Sequence, residues 1–92
     1  MKPQTQKQTV IIKNQKGLHA RASAKFVEVV NKFESSVTVS KYGKTVSGHS
    51  IMGLMMLAAS KGTEIDIMAK GSDSKTAIDA ICKLVEEKFY ED

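Results

Sequence analysis

Ninety-two residues, 41% of them hydrophobic and 26% charged, are enough for one domain over residues 1–92 and leave no room for a second. The net charge of +4 comes from thirteen lysines and one arginine, scattered along the chain, against ten carboxylates. With no basic stripe and an aromatic content of only 5%, this balance speaks against a nucleic-acid binder.

Cys82 is the only cysteine, so an internal disulfide or a multi-thiolate metal site is ruled out and a reducing compartment, the cytoplasm, is expected. The stretch Met1–Thr9 is polar and lysine-bearing with no apolar run behind it, so no signal peptide is expected. Nothing in the chain approaches membrane-spanning length.

Val10, Ile11 and Ile12 form a β-branched run between polar flanks and predict a first strand over about Gln8–Lys13. Asn14–Gly17 turn the chain. From Ala20 onward Ala22, Phe26, Val29, Val30 and Phe33 recur at helical spacing, with Lys25, Glu28 and Lys32 opposite, which predicts an amphipathic helix. Val37 and Val39 alternate with Ser36, Thr38 and Ser40, then Tyr42-Gly43 precedes Lys44–Ser47: two strands joined by a tight hairpin.

Ser50 offers a hydroxyl cap to a second helix, Ile51–Ala59, in which no residue is charged. With Leu54, Leu57 and Ala58 turned inward, Met52, Met55 and Met56 face outward and Ile51 lies at the margin. Exposed methionines make an adaptable docking surface; the alternative is a core helix with ragged packing. Ile65, Ile67 and Ala69 then alternate with Glu64, Asp66 and Lys70 as a fourth strand ending at Gly71.

Ser72 and Asp73 are placed to cap a last helix whose apolar stripe is Ala77, Ile78, Ile81, Cys82 and Val85, with Cys82 as a buried filler. Glu91 and Asp92 read as a frayed end. The order is βαββαβα, an α+β chain whose helices could all cover one face of an antiparallel sheet, though sequence alone leaves the strand order open.

Chemistry concentrates where the first turn meets the first helix. His19 falls at that helix's N-terminus, where N–H groups without internal partners and the helix dipole favour an anion. The same field disfavours imidazolium and keeps a ring nitrogen free as a nucleophile. Arg21 is the single arginine of the chain, and its planar fork suits a phosphoryl group. Gly17 permits a tight turn that leaves the ring exposed. A phosphoryl-accepting histidine is therefore chemically reasonable; a solvated His19 beside a surface Arg21 is the open alternative. His49 reads as a solvated hairpin-end residue, and ligands for a metal site are missing around it.

Gly17-Leu18-His19-Ala20-Arg21-Ala22-Ser23-Ala24-Lys25-Phe26 resembles the active-site signature of the HPr family of phosphotransferase-system carriers, and Ser50-Ile51-Met52-Gly53-Leu54-Met55-Met56-Leu57 resembles that family's regulatory serine segment. The spacing between the two, the length and the element order also match. The resemblance implies an open-faced β-sandwich with a four-stranded antiparallel sheet and three helices on one face. It implies a phosphocarrier that takes a phosphoryl group from enzyme I onto His19 and passes it to an EIIA-type acceptor, with no cofactor or metal of its own. Arg21 and the helix N-terminus at Ala20 and Arg21 would support the phosphate, and Ser50 would be a regulatory phosphorylation site for a kinase of the HPr kinase/phosphorylase type.

A docking patch of Ala20, Arg21, Ala24, Ile51, Met52 and Met55 is implied as well, and a monomer is expected. The family's usual motif has proline after the arginine, where this chain has Ala22; that variant resembles the nitrogen-related NPr branch more than the branch dedicated to sugar transport. The competing reading is a non-catalytic regulatory module that binds partners through the methionine patch.

Overall fold

A computed structural model describes residues 4–91, in the order β1 (Thr5–Ile11), α1 (Ala20–Val30), β2 (Ser36–Lys41), β3 (Lys44–Ser47), α2 (Ile51–Met56), β4 (Glu64–Lys70) and α3 (Ser74–Glu86). A left-handed closing turn over Lys88–Tyr90 follows. Met1–Pro3 of the polar N-terminal stretch and Asp92 lie outside the described residues.

All four strands pair antiparallel in the order β1-β4-β2-β3. The period-2 patterns decide which face is covered. Val37 and Val39 of β2 and Ile65, Ile67 and Ala69 of β4 are buried, whereas their neighbour Met68 is exposed on the open face. The helices supply the other half of the core: Ala22, Phe26 and Val30 from α1, Leu54 from α2, and Ala77, Ile78, Ile81, Leu84 and Val85 from α3. The result is the open-faced sandwich with three helices that the element order allowed.

Several boundaries differ from the sequence reading. β1 starts earlier, at Thr5, and ends at Ile11, because its partner β4 is long enough to pair seven residues of it even where they are polar. Ile12 leaves the ladder but stays buried, bonded through its N–H to the Thr63 carbonyl (2.9 Å) and through its carbonyl to the Gly62 N–H (2.8 Å). Phe33 lies beyond the end of α1 and is only partly buried against the core.

α2 is shorter than expected. Leu57 N–H and Ala58 N–H bond to carbonyls three residues back, tightening the last turn, and Ala58 then turns left-handed (φ 53°) and faces solvent rather than inward. Ala59 takes the buried position instead. Lysines from the β2–β3 hairpin cap this early end: Lys44 Nζ donates to the Met56 carbonyl (3.2 Å), and Lys41 Nζ to those of Leu57 and Ala58 (3.0 Å each).

Two cap assignments resolve in opposite ways. Ser50 is the N-cap of α2, its Oγ accepting from the Gly53 N–H at 2.9 Å. Asp73 stands at the N-cap of α3 but makes no side-chain bond to that helix. Its carboxylate instead accepts from the Glu34 N–H (2.9 Å), the Ser35 N–H (3.0 Å) and the Ser35 hydroxyl, binding the α1–β2 loop to the start of α3. Cys82 is half-buried beside β1 rather than a core filler, and burial, with Asp79 and Glu86 nearby, pushes its thiol up.

Candidate functional site

Three loops meet around His19. Gly17 takes φ 65°, and a Cβ there would stand 2.3 Å from the Ala59 carbonyl oxygen, so the position demands both a left-handed backbone and no side chain. That close approach lets the next N–H, of Leu18, bond to the same carbonyl at 2.9 Å, fastening the loop to the end of α2. The buried Ser23 hydroxyl donates to the Leu18 carbonyl (3.2 Å), and the Ser23 N–H makes the first bond of the helix, to the His19 carbonyl (2.9 Å).

His19 is thereby the N-cap of α1, in extended backbone (φ −77°, ψ −177°), and its side chain makes no bond to the helix. The ring is instead available at the helix mouth, its side chain 28% exposed. An open recess of about 330 Å³ beside it is lined by Lys16, His19, Ala20, Arg21 and Glu91. Two cations and the partnerless N–H groups of the first turn of an eleven-residue helix face one space: a setting for an anion.

The ring is not free on both sides. His19 Nε2 lies 3.0 Å from each carboxylate oxygen of Glu91, whose side chain is only 9% exposed. Glu91 is therefore not a frayed end. It also accepts from Asn14 Nδ2 (3.1 Å), and the buried Asn14 amide in turn donates to the Gly17 carbonyl (2.9 Å). Burial raises the Glu91 carboxyl, but the hydrogen bonds from Asn14 and His19 and the charges of His19 and Lys25 outweigh it and leave the group below its ordinary value.

Glu91 is held in place from behind. Phe89 is fully buried, and its carbonyl accepts from Lys25 Nζ at 2.7 Å. Lys88, Phe89 and Tyr90 all adopt left-handed backbone (φ 56°, 56° and 58°), which reverses the chain after α3 and brings residue 91 over the N-terminus of α1.

The remaining sequence candidates fall as follows. Ala20, Arg21 and Ala24 are exposed on α1; Ile51, Met52, Met55 and Met56 are exposed on α2, with Met52 the most open at 68%, and the two helices pack against each other. Ala22 is fully buried, so the residue after the arginine packs in the core. His49 is exposed, as a hairpin-end residue would be, but not merely solvated: its Nε2 accepts from the Val37 N–H and its Nδ1 donates to Asn31 Oδ1 (3.1 Å each), bracing the hairpin against the end of α1. Lys16, Asn14 and Glu91 escaped the sequence reading. Lys16 sits three positions before the histidine and carried a usable signal; Glu91 carried none, because only the closing turn places it.

Among the described residues no three of His, Cys, Asp and Glu converge as metal ligands would, and no helix is long and apolar enough to cross a membrane.

Fold and site together define a small open-faced sandwich with a histidine presented at a helix N-terminus. Residues 6–87 match the family model described as the PTS HPr component phosphorylation site. The chain is 48% identical over 83 residues to the phosphocarrier protein HPr of Xylella fastidiosa, covering 90% of this chain and 93% of that protein. It is 44% identical over 89 residues to the phosphocarrier protein NPr of Proteus mirabilis, covering 96% and 99%. Among solved structures, HPr-C-His from Thermoanaerobacter tengcongensis superposes with a TM-score of 0.91 at 44% identity, covering 95% of this chain and 98% of that one. The chain belongs to the HPr family of phosphotransferase-system phosphocarrier proteins.

Proposed function

We propose that His19 accepts a phosphoryl group from phosphorylated enzyme I and delivers it to an EIIA-type acceptor, with Arg21 and the first turn of α1 at Ala20 and Arg21 supporting the phosphate. The observation that carries this reading is the recess in which a partly exposed His19 faces Arg21, Lys16 and the unpaired N–H groups of α1. Arg21 contributes a fixed fork for two phosphate oxygens and Lys16 a mobile point charge. Nothing in this scheme calls for a metal or cofactor on the carrier: the partner's active site completes the transfer, and the exposed ring can enter it.

Ala20, Ala24, Ile51, Met52 and Met55 form the surface that meets both partners in this scheme. Ser50 lies at its edge, and its phosphorylation by a kinase of the HPr kinase/phosphorylase type would add about −1.5 to −2 charges there, changing partner choice. Ala22 supports an acceptor of the nitrogen-related branch. The half-buried, unpaired Cys82 supports work in the reducing cytoplasm.

The test is incubation with phosphoenolpyruvate and enzyme I, followed by intact mass before and after mild acid, with His19→Ala alongside. One acid-labile phosphate that disappears in the variant is expected; a folded protein left unmodified by an active donor would overturn the reading. Transfer from the labelled protein to a sugar-transport EIIA and to a nitrogen-related EIIA, measured side by side, separates the two branches. Mass spectrometry after treatment with the kinase and ATP tests Ser50, and an unmodified serine removes that part of the proposal.

A further inference from the structure

We propose that Lys41 and Lys44 of the β2–β3 hairpin are positioning residues for the transfer reaction: they hold the exit of α2 in the left-handed turn at Ala58 that walls one side of His19. The effect on transfer rests on the phosphocarrier reading; the effect on the turn does not.

His19 borders two recesses. Besides the one it shares with Arg21, a second of about 200 Å³ is lined by Lys16, Leu18, His19, Ala58, Ala59 and Ser60. The far wall of this second recess is the exit of α2. There the chain turns at Ala58 and delivers the Ala59 carbonyl to the Leu18 N–H (2.9 Å), one residue before the histidine. The backbone leading into His19 therefore stands where this turn puts it.

The turn is not favoured by its own sequence. Leu57 is the C-cap of α2, so Ala58, with φ 53°, takes the next position, where glycine is usual because left-handed backbone disfavours a Cβ. What offsets that cost comes from another element. Lys41 Nζ donates to the carbonyls of Leu57 and Ala58 (3.0 Å each), and Lys44 Nζ to that of Met56 (3.2 Å). Three successive carbonyls at the negative end of a helix are thus met by two ammonium groups. The Lys41 ammonium also lies 5.6 Å from the centre of the Tyr42 ring, which helps to fix it. A left-handed alanine persists only where its surroundings over-determine it, and here the surroundings are these two lysines.

The experiment uses the full chain as parent, as Lys41→Met with Lys44→Met, and as that pair with Ala58→Gly added. A control pair, Lys7→Met with Lys70→Met, removes the same charge from exposed positions on β1 and β4. Amide exchange at Leu18 is measured, together with kcat and KM for phosphorylation by phosphoenolpyruvate and enzyme I. In the hairpin pair, exchange at Leu18 should rise about 10-fold, the effect of losing roughly one hydrogen bond. Its kcat should fall about 5-fold, within the range for coupling carried through packed elements. The control pair should leave both unchanged. Adding Ala58→Gly should bring both back to within about 2-fold of the parent, because glycine takes the left-handed turn without help.

Unchanged exchange at Leu18 in the hairpin pair, with amide spectra showing the fold intact, overturns the proposal. So does a change confined to KM, which would mark a docking role, an equal loss in the control pair, or a loss that Ala58→Gly does not restore. If the hairpin pair fails to fold, Lys41→Met and Lys44→Met taken singly, each with and without Ala58→Gly, give the same comparison. A parent chain that is never phosphorylated, yet whose Leu18 exchange depends on the two lysines, overturns the phosphocarrier reading and leaves their hold on the turn standing.

Discussion

Asp73 accepts hydrogen bonds from both the N–H and the hydroxyl of Ser35, 38 positions earlier in the chain. A residue placed to start α3 thus fastens the loop that leaves α1. The Ser35 hydroxyl, then the Glu34 N–H, hold its carboxyl below the ordinary aspartate value, with burial opposing weakly. A carboxyl depressed by folding stabilises the native state above its unfolded value, and that contribution disappears as pH falls through the lower folded value. The parent should therefore lose thermal stability between about pH 4 and more acidic conditions, and Asp73→Asn should lower the Tm at pH 7 while flattening that acid slope. Melting curves across pH 2–7 check this; parallel curves for the two proteins would refute the assignment.

Gly17→Ala should be costly at a site with almost no side-chain contacts to lose. The left-handed backbone alone costs about 1–2 kcal/mol for a residue with a Cβ, and the Cβ itself would stand 2.3 Å from the Ala59 oxygen. Because the displaced Ala59 carbonyl is the one that accepts from the Leu18 N–H beside His19, phosphorylation should slow as well. Urea midpoints and the enzyme I assay read the two effects.

Phe89→Ala should destabilise by about 3–5 kcal/mol, the usual range for emptying a buried phenylalanine site. Burial of this ring is what offsets three successive left-handed residues, so the closing turn should open with it. Amide exchange at Glu91 should rise far more than exchange in β4, and a uniform rise would show that the turn has no separate stability.

Ser50→Ala should cost about 1 kcal/mol through the lost bond to the Gly53 N–H, and Ser50→Gly less. In a helix of six residues that loss is concentrated: protection of Gly53 and Leu54 should drop while α1 is unaffected.

Local patterns carried most of the architecture. The alternation of Ile65, Ile67 and Ala69 and the stripe Ala77, Ile78, Ile81, Cys82 and Val85 each reflect one element meeting one core, and all but the half-buried Cys82 are buried as read. His19 and Ser50 were legible because helix starts are written in adjacent residues. The strand order β1-β4-β2-β3 was not legible, since it depends on which edges meet after collapse. Ala58 went astray because the α2 end is set by lysines from another element, Lys41 and Lys44. Glu91 was missed for a related reason: a polar end looks idle until a buried aromatic two positions earlier, Phe89, places it.

The sheet topology also sets a schedule for synthesis. β1 is made first, yet its one neighbour is β4, with Ile11 opposite Glu64 and Thr5 opposite Lys70. At ribosomal speeds β1 waits roughly 3–10 s for its partner to be made. Its sequence suits that wait: Thr5-Gln6-Lys7-Gln8-Thr9 is an unattractive template for a stray strand. The polar residues that hide the start of β1 from a sequence reader also shield the nascent chain from its neighbours.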